Sequence, residues 1–526
     1  MGDPAQLPPV GDNESKALNE DFFRSLGYAT QSYTLSEVAR QKGDSMILAN
    51  AMKIRRLLGE TKRNELVFDM REGEVMELGS DEVVDKYLEV FPQPVLGQGV
   101  VVCYSNAMVM NYNKAIRSHY FDTESLHCGD VLQVVRNNSN TQHGNPAVFN
   151  GDFICVISEP GAEEIHRVPV WVTEDGKRRK EVVELHFQDI AYQTDGGACG
   201  RSKLLTNLLH SPHHALTRVE FVAVYVDFLM RYPKLKRGSK DFFDALADDP
   251  YFNAIHAKFG YAITAHKAQG GEWPAVFVDY SRRTGLDTDS LRWSYTATTR
   301  ASECLYGVNM PKVSPFGKFV ISGIRKASKI DGGLMVVKDS ACPLLGEARG
   351  ATPAQKAKCN SAMAALAEMG CRLVAVRQLQ YNDRYTIEGP FGQREYNCIY
   401  DGAGVYKKFT PLRPSADDEL VIAALSDERT YDYDYDYTPS SDVLSRLHHA
   451  VVSAADELGV QITGVKECAS SYNVAYGFKT TARSAILFYY DKNGAVTSAM
   501  PTSIVGTNDI KLNLLINRIK ELTCQQ

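Results

Sequence analysis

Residues 260–272, Gly-Tyr-Ala-Ile-Thr-Ala-His-Lys-Ala-Gln-Gly-Gly-Glu, hold the most specific concentration of chemistry in this 526-residue chain. A strand-like Tyr261-Ala262-Ile263 leads into Thr264, His266, Lys267, Gln269, Gly270 and Glu272. Paired glycines at a strand-to-helix turn let the backbone approach a phosphate, and helix N-terminal N–H groups stabilise its charge. Polar and basic side chains clustered there can also hold a nucleic-acid backbone. The same residues equally suit a polar turn that caps an ordinary helix. Downstream, Tyr295-Thr296-Ala297-Thr298-Thr299-Arg300-Ala301-Ser302-Glu303 precedes a strand pattern, CLYGV. An Arg preceded by small and hydroxylated residues fits an arginine finger, whose guanidinium stabilises a γ-phosphoryl transition state by ~10³–10⁵ in rate. A surface Arg in a salt bridge is the alternative, and the usual case for a lone Arg.

Such residues need a scaffold. VVVCYS (100–105), AVFVDY (275–280) and ECLYGV (303–308) are short buried-strand patterns beside helical ones, which points to an α/β sheet. Residues 129–195 read differently: VLQVVRNN, FICVISEP, VPVWVTEDG and VVELHFQDI are split by Asn, Gly and Asp-Gly turn signals. That pattern suits a small barrel interrupting the sheet. Further on, AMAALAEMG (362–370) and AVVSAADELG (450–459) each read as a helix closed by Gly370 or Gly459. Each is followed by a β-rich run, then Tyr381-Asn382 with Tyr385, or Tyr472-Asn473 with Tyr476, and then a hairpin signal. This is a weak repeat at a spacing of about 90 residues: two copies of a small α+β module. Between them, residues 415–437 hold eight acids and one Arg and end in alternating Tyr and Asp. One aromatic strand face is conceivable there, but with no apolar partner beside it an exposed acidic linker is expected.

Composition narrows the class. At 44% hydrophobic, 23% charged and 10% aromatic, the chain is not collagen-like, wholly disordered or a disulfide scaffold. Its net charge of −6 hides a basic stretch, 251–330, with eleven Lys/Arg against five Asp/Glu. The eleven cysteines form no C-x-x-C pair and read as free thiols in a reducing compartment. With no signal-like N-terminus and no long apolar run, the expectation is an intracellular protein, of cytoplasm or nucleoid, without a membrane partner.

GYAITAHKAQGGEW, followed about twenty residues later by YTATTRASECLYGV, resembles motifs V and VI of superfamily 1 helicases of the RecD-like, 5′→3′ branch. Gly2-Asp3-Pro4-Ala5-Gln6-Leu7-Pro8-Pro9-Val10 resembles motif III of that branch, and Leu35-Ser36-Glu37-Val38-Ala39-Arg40-Gln41 its motif IV. Val101-Val102-Cys103-Tyr104-Ser105-Asn106, with Asn113 and Arg117 after it, resembles the next nucleic-acid contact segment. Gly129-Asp130 to Phe149-Asn150-Gly151-Asp152 resembles the start of the SH3-like barrel inserted in the second motor domain.

The resemblance implies roles position by position. Gln6 would sense the nucleotide, while Arg40 and Arg300 would reach the triphosphate; these three are the expected catalytic residues. Gln269, Gly270 and Glu272 would join them at the nucleotide. Ser105, Asn106, Thr264, His266 and Lys267 would face single-stranded DNA, the expected partner. Trp273 would pack or stack nearby. ATP and Mg²⁺ are implied for a complete enzyme, an ATP-dependent helicase acting in DNA replication, recombination or repair. Yet no G-x-x-x-x-G-K-[S/T] occurs; the nearest string, Gly196-Gly197-Ala198-Cys199-Gly200-Arg201-Ser202, has Arg where Lys is needed. The chain is therefore expected to be the C-terminal part of such a helicase, inactive alone, with a separately encoded first motor half as a further partner. A non-enzymatic single-strand-binding or partner-binding relic is the alternative, and an interaction protein acting through 331–526 a third.

The implied fold is α/β, a RecA-like (P-loop NTPase-type) motor domain with an inserted SH3-like β-barrel and C-terminal α+β modules. Residues 1–40 would be a remnant of the first RecA-like domain, poorly ordered or docked on the second. Residues 41–120 and 251–330 would form the second RecA-like domain, 121–250 the insertion, 331–414 the first module, 415–437 the linker and 438–526 the second module.

Overall fold

The apolar run Val100–Cys103 is fully enclosed, as a strand covered on both faces must be. The computed structural model describes residues 2–33, 44–139, 144–174, 177–345, 350–402, 404, 406–428 and 431–524. They form two units, residues 1–61 with 65–313, and 62–64 with 314–526.

The first unit begins with α1 (Glu20–Ser25), α2 (Met46–Gly59), β1 (Leu66–Val67), β2 (Val75–Leu78), α3 (Val83–Val90), β3 (Gly99–Cys103) and α4 (Asn106–Tyr120). Strands β4 (Val131–Val134), β5 (Phe153–Val156), β6 (Glu164–Glu174), β7 (Lys177–Thr194) and β8 (Cys199–Leu205) follow, then α5 (Arg218–Arg231) and α6 (Lys240–Asp248). It ends with β9 (Ile255–Phe259), β10 (Ala262–Thr264), α7 (Ala265–Ala268), β11 (Trp273–Asp279), α8 (Thr288–Thr298), β12 (Ala301–Val308) and β13 (Lys312–Val313).

Its main sheet has the order β10-β3-β11-β12-β2, every pairing parallel. Side chains of β3 alternate between the two faces, so Val101 and Cys103 enter one core and Val100 and Val102 the other. Helices α2 and α8 cover the second face. The three apolar runs singled out from sequence are thus β3, β11 and β12 of one α/β sheet.

The β-rich middle closes on itself. Strand β5 pairs with β4 and β7, β4 with β9, β9 with β8, and β8 with β7, which completes a ring of five. Closure removes exposed edges. The ring takes a strand from Ile255–Phe259, beyond the boundary at 250 expected from sequence. The whole of β6 lies outside the ring, paired antiparallel with the Lys177–Phe187 part of β7.

The second unit holds β14 (Val320–Ile321), β15 (Arg325–Lys326), α9 (Pro353–Glu368), β16 (Arg372–Leu379), β17 (Asn382–Gly389), β18 (Gly392–Tyr400), β19 (Tyr406–Pro411) and α10 (Asp418–Leu425). Then come α11 (Asp442–Glu457), β20 (Gln461–Cys468), β21 (Asn473–Lys479), β22 (Arg483–Tyr490), β23 (Val496–Ser503) and α12 (Ile510–Cys524). Two runs of helix, four-strand antiparallel meander and helix follow one another, each with its own core. The repeat extends to single residues. Gly370 and Gly459 end the first helices in left-handed conformation, at φ 70° and 58°. Tyr381 and Tyr472, at φ 56° and 50°, make the first hairpin turns, and Tyr385 and Tyr476 are both fully buried.

The acidic stretch differs from an exposed linker: 418–425 is helix α10, and the tyrosines pack. Tyr431 is buried and Tyr433, Tyr435 and Tyr437 half-buried, while Asp432, Asp434 and Asp436 are exposed. The strand partner missing nearby comes from about 95 residues upstream, where Val337 bridges Tyr433 and Asp434 N–H donates to Val336 O. Tyr435 and Tyr437 then meet His448 edge-on.

Leu334, 4% exposed, lies against Gly464 and Gly477. A Cβ at Gly477 would sit 2.3 Å from Leu334 O and 2.6 Å from Thr463 Oγ1. Gly477→Ala is expected to destabilise the second unit by about 1–3 kcal/mol, read by urea unfolding, because backbone must move to admit a methyl.

Candidate nucleic-acid interface

The loops that follow β10, β3 and β11 leave the same, C-terminal edge of the parallel sheet, since Thr264 pairs with Cys103 and Val278 with Val102. That edge is where open α/β sheets take ligands. Ser105 is extended and caps α4, its Oγ accepting from Met108 N–H at 3.3 Å, and Asn106 opens the helix. Thr264 ends β10 and precedes α7 without making a cap bond of its own. His266 is exposed at the tip of this turn; partial desolvation, then the positive charge of Arg283, hold its imidazole below the usual value. Lys267 donates to Asn150 Oδ1 at 2.6 Å, and burial lowers its ammonium from the ordinary lysine range. All five residues expected at DNA therefore come together on two adjacent strand ends.

Two neighbours in that segment serve the fold instead. Asn113 exchanges both amide bonds with Ala262, at 3.0 and 2.8 Å, and so satisfies edge strand β10. Arg117 is buried against Asp130.

The residues expected at a nucleotide gather elsewhere, before β11 and β12. Gln269 Nε2 donates to Leu7 O at 2.7 Å, and Leu7 N–H donates to Thr296 Oγ1 at 3.0 Å. The segment around Gln6 is docked on this unit: Ala5 is buried, and Asp3 accepts from Tyr295 OH and Arg55. Gln6 itself, half-buried, sits in the turn closed by its N–H on Asp3 O. Gly270 has φ 87° and open space where a Cβ would be, so its backbone is approachable. Glu272 is exposed, two residues further on. Trp273 is core, 5% exposed and edge-on to Phe153.

Arg300 faces inward. It is 1% exposed, with Nε on Thr296 O at 2.9 Å, Nη1 on Gly271 O at 2.8 Å and Nη2 on Thr299 Oγ1 at 3.0 Å. These bonds tie the 268–271 turn to the end of α8. Gln6, Gln269, Gly270 and Glu272 lie on the segments around this turn, and the Arg300 guanidinium is held on the turn itself. Arg40 and the 35–41 segment lie outside the described residues. The same strand-end edge also carries Tyr104, quoted above within its segment but given no role, and Arg283, whose signal was the Arg282-Arg283 pair after AVFVDY.

Residues 259–307, which run from the end of β9 through β10, β11 and α8 into β12, match the UvrD-like helicase C-terminal domain. Among solved structures, the chain is similar to the Pif1 helicase from Candida albicans, at 15% identity and TM-score 0.28, covering 60% of this chain and 64% of that one. It is also similar to the Pif1 helicase from Bacteroides in complex with ADP-AlF3 and ssDNA, at 14% identity and TM-score 0.23, covering 58% and 60%. The chain thus spans less than two thirds of either protein. Residues 441–519 match the TATA-binding-like protein domain of the TOTE conflict systems. No characterised protein matches the chain in sequence. Among the described residues, no helix is long and apolar enough to cross a membrane.

Proposed function

We infer that this chain carries the second motor domain of a RecD-like, 5′→3′ DNA helicase and grips single-stranded DNA through Ser105, Asn106, Thr264, His266 and Lys267. The observation that carries this reading is their convergence on the adjacent ends of β3 and β10. The five-stranded ring is read as the SH3-like barrel of that domain. ATP with Mg²⁺ would be used by the complete enzyme, against a first motor half that supplies the phosphate cradle; the 526 residues alone should bind DNA without hydrolysing ATP. When bound, the nucleotide would contribute the hydrolysis that powers movement, while Gly270 lends its backbone and Gln269, through Leu7 O, ties its turn to the segment that carries Gln6.

A second reading is a non-enzymatic single-strand-binding relic of such a motor, favoured by the enclosed Arg300. In either reading the tandem modules of 351–524 are proposed to form a TATA-binding-like pair that adds a duplex contact, supported by their shared element order and the match over 441–519.

Fluorescence anisotropy of the full chain with a labelled oligothymidylate tests the common core. Affinity is expected to fall with salt at a log–log slope of about −0.7 per phosphate held. No binding at low salt removes both readings. ATPase activity that appears on adding a P-loop-bearing partner selects the first over the second.

A further inference from the structure

Tyr104 and Arg283 stand at the centre of the same strand-end edge. Tyr104 directly follows β3 and keeps 37% of its surface exposed. Arg283 follows β11, and its guanidinium carbon lies 4.2 Å from the Tyr104 ring centroid. One face of the ring is covered by a cation, and the ring keeps a third of its surface in solvent. A lone exposed tyrosine would be unremarkable. This one is built in.

The loop that carries Arg283 is held from several sides. Arg283 N–H donates to Tyr280 O at 2.8 Å, and Ser294 Oγ donates to Arg283 O at 3.3 Å. Asp279, at the end of β11, accepts from Ser281 N–H at 3.0 Å and from Tyr112 OH of α4 at 2.9 Å. The helix behind Tyr104 and the turn behind Arg283 therefore share one buried carboxylate. The Nε of Arg283 has no hydrogen-bond partner among the described residues. The backbone that carries ring and guanidinium is thus held before any ligand arrives, next to Ser105, Asn106 and His266.

We propose that Tyr104 and Arg283 form a stacking platform for one base of a single-stranded nucleic acid, with the ring taking the base and the guanidinium the adjoining phosphate. A base offers its flat face only when unstacked, so the platform selects single strands over duplex. A π-face is common to all bases, so binding there is tolerant of sequence. The inference rests on the reading of this edge as the single-strand interface and adds the group that grips bases rather than backbone.

The test measures binding of the full chain to labelled oligothymidylate and to an abasic oligonucleotide of the same length. Tyr104→Ala and Tyr104→Leu are expected to weaken oligothymidylate binding about tenfold, with Tyr104→Phe close to the parent. On the abasic strand all three should match the parent protein. Arg283→Ala should weaken binding to both strands and flatten the salt slope by about one phosphate's share. Unchanged oligothymidylate affinity in Tyr104→Ala and Tyr104→Leu, while Lys267→Ala weakens it, overturns the platform and leaves the interface standing. A parent protein that binds neither strand overturns the interface itself. Unchanged thermal unfolding of Tyr104→Leu separates lost stacking from lost fold.

Discussion

Arg117→Ala is expected to destabilise the first unit by about 3–5 kcal/mol, a large share of the ~5–15 kcal/mol that separates folded from unfolded domains. Arg117 on α4 and Asp130 before β4 are 4% and 0% exposed. Their contact is bidentate, Nε on Oδ1 and Nη2 on Oδ2, both at 2.9 Å. Nη1 also donates to Thr123 O at 2.6 Å, and the guanidinium lies 4.6 Å from the centroid of Phe259 and 5.1 Å from that of Phe121. Asp130 further accepts from Tyr261 OH and His127 N–H, each at 2.9 Å. Truncating Arg117 strands a desolvated carboxylate whose remaining donors were arranged for an ion pair, and that stranded charge sets the size of the effect. Urea unfolding of the single variant, and of the double variant Arg117→Met with Asp130→Asn, makes the check. A loss under about 1 kcal/mol in the single variant would refute this account, and the double variant should recover part of the loss. The bond matters to the interface because it ties the end of α4 to the ring, and the other end of α4 presents Ser105 and Asn106.

Arg300→Ala is expected to cost about 2–4 kcal/mol and to loosen the turn at 268–271, because hydrogen bonds to a charged donor are worth about 1.5–3 kcal/mol each. Thr296 O would lose a buried charged donor and keep only the Thr299 hydroxyl, and Gly271 O would lose its guanidinium donor in a partly buried place. Arg300→Lys should recover little, since a single ammonium cannot reproduce a planar fork with three separate acceptors. Faster amide exchange at Gln269–Gly271, together with the lowered unfolding midpoint, is the expected result. An arginine kept solely to reach a nucleotide would behave as a free surface side chain, and its removal would change stability by no more than about 0.5 kcal/mol. The two outcomes are far enough apart to separate a structural clamp from a solvent-facing finger.

How much of this was legible beforehand follows from the range of each interaction. Gly370 and Gly459 announce helix ends because a left-handed residue is a local requirement. Tyr381-Asn382 and Tyr472-Asn473 mark equivalent turns for the same reason. The acidic stretch was misjudged because strand pairing is decided elsewhere. Tyr433 finds its partner in Val337, beyond any window that a periodicity covers. Asn113 and Arg117 looked like part of a contact segment, and only their neighbours Ala262 and Asp130 turn them inward.

The sequence by itself determined which residue types stand at the ends of the apolar runs, and hence that Ser105, Asn106, Thr264, His266 and Lys267 are available for a nucleic-acid backbone. It also determined the tandem module, through helix stops and turns that are local in origin. The tertiary structure alone decided that β3 and β10 lie side by side, that β5 meets β7 to close the ring, and that Arg300 points inward. It alone brought Arg283 over Tyr104, 179 positions apart in the chain. Backbone conformation is chosen by near neighbours; a guanidinium's partner is chosen by whatever the fold places within a few ångströms of it.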